Sequence, residues 1–123
     1  MSIKTLIVVI TAVFLSACAQ LLLKIGVAGP STQSALWRGG LAGLLTAMGN
    51  PIVWGGFALY GLSMVLWLWV LAKLDLSLAY PFVGLSFIVT MVFGAMILGE
   101  TVTPLRFTGT VFIALGCVMV AQS

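Results

Sequence analysis

Charge is scarce in this sequence: Asp, Glu, Lys and Arg make up 6% of its 123 residues, where a soluble domain carries roughly 25%. So few polar side chains cannot cover the surface that a chain of this size leaves outside its core, which excludes a mostly water-facing exterior. Histidine is absent and the only carboxylates are Asp75 and Glu100, so no Ser/His/Asp set and no metal-ligand cluster can be assembled. No glycine-rich loop followed by Lys and Ser or Thr is present to cradle phosphates, which argues against ATP hydrolysis, and no cofactor is implied. The five cations, Lys4, Lys24, Arg38, Lys73 and Arg106, are scattered rather than clustered, so nothing points to nucleic acid. Cysteine is limited to Cys18 and Cys117, each inside an apolar run without a CxxC pair, and both are read as small buried apolar side chains.

What the sequence has in abundance is apolar length. Hydrophobic residues make up 63% of the chain and its mean hydropathy is +1.31. A membrane-spanning helix needs ~20 apolar residues, and four segments qualify: 5–25, 52–71, 76–98 and 105–121. The expected fold is therefore an all-α membrane protein, one four-helix transmembrane domain over 1–123. Short connections at 72–77 and 99–104 make consecutive helices antiparallel neighbours. Between the first two spans, Gly29, Pro30, Ser31 and Thr32 break the helix. Leu41, Leu44, Leu45 and Met48 then recur at helical spacing, so 36–49 is expected to lie in the membrane interface with Trp37 as a headgroup anchor, a plain surface loop being the alternative.

Leu15-Ser16-Ala17-Cys18 is similar to a bacterial lipoprotein cleavage box, but the apolar run continues through Leu21, Leu22 and Leu23 to the length of a span, so processing there is not expected. With the N-terminus inside, Lys4 and Lys73 oppose Lys24, Arg38 and Arg106, a bias too weak to set orientation. Weak bias and only four short helices around any cavity suggest association with a second copy or a close paralogue.

Polar groups in hydrocarbon must either bond other helices or line a hydrated cavity. Ser16, Gln20 and Lys24 stack at i, i+4 and i+8 on one face of the first helix. Ser86, Thr90 and Gly94 share a face of the third, where small residues permit close helix contact. Tyr60, Ser63 and Trp67 form a strip on the second, suited to an acyl chain, a ligand ring or simple packing. Pro81 follows Tyr80 and is either a kink or a first-turn proline. Both carboxylates fall at helix ends rather than mid-membrane, where proton relays place their acid. Glu100 is expected to be structural, pairing with Arg106 across the turn, so that Glu100→Gln leaves transport largely intact.

Leu78 to Val120 resembles the drug/metabolite transporter superfamily and its small four-helix, EamA-like members. The resemblance is carried by Ala79-Tyr80-Pro81, Gly99-Glu100, Thr103-Pro104, and Gly109 with Gly116. Small multidrug-resistance proteins share this architecture and use a glutamate in the first helix, where this sequence aligns Ser16. Lacking that acid, the chain is similar instead to the small subunits of the aminoarabinose-phosphoundecaprenol flippase. The resemblance implies a dimeric inner-membrane transporter that moves a polyprenyl-phosphate-linked sugar between leaflets. Substrate contacts are then expected from Lys24 or Arg106 to phosphate, from Ser16, Gln20 and Ser86 to sugar, and from Tyr60 and Trp67 to the lipid tail, with Tyr80 nearby and Pro81 structural. A small exporter of hydrophobic or cationic compounds, and a membrane subunit that only stabilises a partner, are the alternatives.

Overall fold

The computed structural model describes residues 2–123, and among these every regular element is helical. Helix α1 (Ile3–Val27) starts on Ser2, whose side chain accepts a hydrogen bond from the Thr5 amide, and carries Lys24 in its last turn. A cation there faces the partial negative charge of the unpaired carbonyls. Four helices are long and apolar enough to cross a bilayer: α1, α4 (Pro51–Lys73), the composite third span Leu76–Met96, and α7 (Pro104–Ala121). No more than 28% of the apolar stretch of any span is buried inside the protein, so lipid or another chain must cover the rest. This is an all-α membrane protein with four transmembrane helices.

The excursion between the first two spans is not one stripe over 36–49. It forms two nine-residue helices, α2 (Pro30–Arg38) and α3 (Gly40–Met48), joined at Gly39. Pro30 starts α2 at a position where its missing N–H is not needed, so the sequence that breaks α1 also begins the next helix. Trp37, on α2, is 91% exposed. Asn50 closes the excursion: its Nδ2 donates to the Gly26 carbonyl (3.1 Å) and its Oδ1 caps α4 by accepting from Ile52 N (2.9 Å).

The spans lie side by side in the order α4, α1, third span, α7. The α1–α4 seam is close because glycine permits it. A Cβ on Gly26 would fall 2.5 Å from a Val53 methyl, and one on Gly56 would fall 2.9 Å from Leu23. At the opposite end Val9, Val13, Val70, Ala79 and Phe82 form the buried apolar cluster. Helix α7 buries only Thr110 and Cys117.

Pro81 neither kinks a continuous helix nor sits in a plain first turn. The third span begins as α5 (Leu76–Ala79), tightens into a 3-10 turn over Tyr80–Gly84, and resumes as α6 (Leu85–Met96). Proline removes one i→i−4 donor, and the tighter turn accommodates the loss. The Pro81 carbonyl accepts from Cys117 Sγ (2.6 Å), which ties the turn to α7.

Candidate functional site

Because α1 lies between α4 and the third span, a cleft opens between those two with α1 as its floor. Its larger compartment is a cavity of about 460 Å³ lined by Ser16, Gln20 and Lys24 of α1, Tyr60 of α4, and Ser86, Phe87, Thr90, Phe93 and Gly94 of α6, with Glu100 at one end. A smaller one of about 260 Å³ shares Ser16, Tyr60, Val83 and Ser86 with it and extends towards Ser63, Trp67 and Tyr80. The two form one groove, charged at one end and aromatic at the other.

The polar stripe of α1 thus faces the third span across open space rather than a packed helix. Phe14 of α1 meets Phe93 of α6 edge-on at 6.1 Å, next to the cavity that Phe93 lines. Three hydroxyls of the walls satisfy their protons within their own spans. Ser63 donates to the Tyr60 carbonyl (2.7 Å), Ser86 to that of Val83 (2.5 Å) and Thr90 to that of Ser86 (2.9 Å). Each oxygen keeps acceptor capacity for a ligand hydroxyl without leaving an unbonded donor in an apolar wall. Gln20 and Lys24 are exposed to the groove, and Gln20 adds both donor and acceptor.

Of the residues singled out in the sequence, Ser16, Gln20, Lys24, Tyr60, Trp67, Tyr80 and Ser86 line this groove. Arg106 does not. Its backbone amide is held by the Thr103 hydroxyl (3.1 Å) and its Nη1 donates to the Thr101 carbonyl (3.1 Å), which fixes it outside on the first turn of α7. Pro81 lies on a separate apolar pocket between the third span and α7. The pairing of Glu100 with Arg106 expected across the turn does not form. Gly99, at φ +69°, reverses the chain in a left-handed conformation suited to glycine, and the Glu100 amide bonds back to the Gly94 carbonyl (2.8 Å). This turn lays Oε1 of Glu100 against Gly94, at the groove. Sequence reasoning missed Glu100 as a lining residue, along with Phe87 and Phe93. The available signal was the glycine at Gly94, which leaves room for the carboxylate.

No model of a protein family and no solved structure matches the chain. Curated proteins do. The probable 4-amino-4-deoxy-L-arabinose-phosphoundecaprenol flippase subunit ArnE of Pseudomonas savastanoi pv. phaseolicola is 30% identical over 112 residues, 91% of this chain and 92% of that protein. The probable ArnF subunit of the same flippase from Photorhabdus laumondii is 34% identical over 115 residues, 90% of this chain and 91% of that protein. The probable ArnE of Escherichia coli K12 is 35% identical over 74 residues, 58% of this chain and 67% of that protein. Similarity sustained from the first span to the last, in a chain of four apolar helices around a polar groove, settles the kinship: this protein belongs to the ArnE/ArnF family of flippase subunits.

Proposed function

We propose that this protein moves an anionic polyprenyl-phosphate-linked sugar between the leaflets of a bacterial inner membrane, without chemical change to it, as one subunit of a pair with a second four-helix chain. The single observation that carries this reading is the groove's polarity gradient: a lysine at one end, hydroxyl and amide groups along the middle, and aromatic rings at the other. A headgroup of phosphate and sugar needs the first two, and a lipid tail needs apolar surface open to the bilayer. A volume of about 460 Å³ lies within the range of small-ligand sites. The relatives' names supply the substrate class, and their being named subunits supports the pairing.

In this reading Lys24 contacts the phosphate. It is the cation continuous with the polar face of α1, and an ammonium near hydrocarbon is tolerated best beside an anion or the headgroup layer. Ser16, Gln20 and Ser86 take the sugar hydroxyls, and Tyr60, Trp67 and Tyr80 take the first isoprenoid units. Lysine holds phosphate as a point charge rather than through a fixed fork, so charge matters more than shape. Lys24→Arg should therefore retain partial flipping, whereas Lys24→Ala and Lys24→Met should abolish it with helix content and assembly unchanged. The assay follows a labelled polyprenyl-phosphate sugar across membrane vesicles from cells whose only copy is the variant. Native rates in Lys24→Met would reduce this lysine to a snorkelling residue and pass the phosphate to the partner chain, since Arg106 lies outside the groove.

A further inference from the structure

We propose that Glu100 is a specificity-determining residue that recognises a protonated amino group on the sugar, so that the groove selects a zwitterionic headgroup: Lys24 for the phosphate and Glu100 for the amine. The inference rests on the flippase reading above; the amino group is in the relatives' names, and what is added is the residue of this chain that would recognise it. Three observations carry it. Glu100 and Lys24 line the same cavity, so an anionic and a cationic group are presented to one ligand. The carboxylate is directed there by construction, since the left-handed turn at Gly99, the amide bond from Glu100 to the Gly94 carbonyl and the missing Cβ of Gly94 all bring it onto α6. The nearby cation across the turn, Arg106, is bonded elsewhere and leaves the carboxylate to the groove.

A carboxylate beside a phosphate site is unfavourable for a ligand that is only anionic, because like charges repel. It becomes favourable when the ligand carries an ammonium, through charge-assisted hydrogen bonds that strengthen away from bulk water. The rejected ligand is then the N-acylated form of the same lipid, which keeps the phosphate and ring but presents no cation. A site built to pair with a polar group discriminates strongly against an analogue that lacks it.

The test compares translocation of two synthetic probes, an undecaprenyl-phosphate-linked 4-amino-4-deoxypentose and its N-formyl derivative, in membrane vesicles from cells whose only copy is the wild-type or variant chain. Wild type should move the amine at least about tenfold faster than the N-formyl probe. Glu100→Gln should erase that preference while moving the N-formyl lipid at or above the wild-type rate, and Glu100→Asp should restore part of it. Gly94→Ala, whose Cβ would displace the carboxylate from α6, should behave like Glu100→Gln. If wild type moves both probes equally, the flippase reading stands and the role of Glu100 is overturned. The role is also overturned if Glu100→Gln slows both probes by the same factor with unchanged helix content, as a structural or coupling residue would. If wild type moves neither, both readings fall together.

Discussion

Gly56 is the position at which the α1–α4 seam can be tested most directly. A Cβ placed there would lie 2.9 Å from Cγ and Cδ2 of Leu23 and 3.2 Å from the Ala19 carbonyl oxygen. The leucine can rotate away, but the carbonyl is backbone within α1 and can yield only if the helices part. Gly56→Ala should therefore cost about 1 kcal/mol, and Gly56→Val, which adds two methyls to the same gap, about 1–3 kcal/mol, the usual range for overpacking. Gly55 and Gly61 stand on the same helix with nothing within 4 Å of their Cβ positions, so Gly55→Val and Gly61→Val serve as matched controls with effects near zero. Reversible unfolding in mixed micelles, followed by circular dichroism, reads the difference. Because α1 is the floor of the groove, the parting should also disturb the Ser16–Gln20–Lys24 face, and lipid flipping should fall with stability in Gly56→Val. If Gly56→Val unfolds no more readily than Gly61→Val, the two helices are not held by close backbone approach and the reasoning fails.

Other expectations follow from single contacts. Asn50→Ala removes both the clip to the Gly26 carbonyl and the cap on α4, and should cost about 1–2 kcal/mol, with faster amide hydrogen exchange confined to the first turn of α4 and the end of α1. Trp67→Ala removes the largest apolar surface at the aromatic end of the groove. It should weaken retention of a polyprenyl phosphate in native mass spectrometry by roughly tenfold or more while leaving a short-chain, water-soluble analogue unaffected, since tail burial and headgroup contacts are separate contributions.

The spans were legible in the sequence because hydropathy is a local property: a long apolar run must be helical in lipid, whatever its neighbours do. The polar face of α1 was legible for the same reason, as Ser16, Gln20 and Lys24 are ordered by helical periodicity alone. What one dimension hid were features fixed by dihedral angles and by absent atoms. The route of Glu100 depends on φ at Gly99 and on the missing Cβ at Gly94, whereas counting charges across the turn pointed to Arg106. That arginine was diverted by the Thr103 cap and the Thr101 carbonyl. Gly29, Pro30, Ser31 and Thr32 break a helix by composition, yet proline at a first helical position is also a start signal, and α2 uses it so. Ser86, Thr90 and Gly94 matched a close-packing face, but in the structure they line a cavity together with the polar stripe of α1.

The 3-10 turn at Tyr80–Gly84 also sets a dimension. An α-helix rises ~1.5 Å per residue and a 3-10 helix ~2.0 Å, so the 21-residue third span reaches about 34 Å instead of about 31 Å. The 23-residue α4 opposite it rises about 34 Å as a regular helix. Two walls of unequal residue number are therefore nearly equal in length, and each can cross the ~30 Å hydrocarbon layer. Restoring regular α-helix at Tyr80–Gly84 would leave one wall short by about half a helical turn, and the mismatch would fall on the lipid beside the groove.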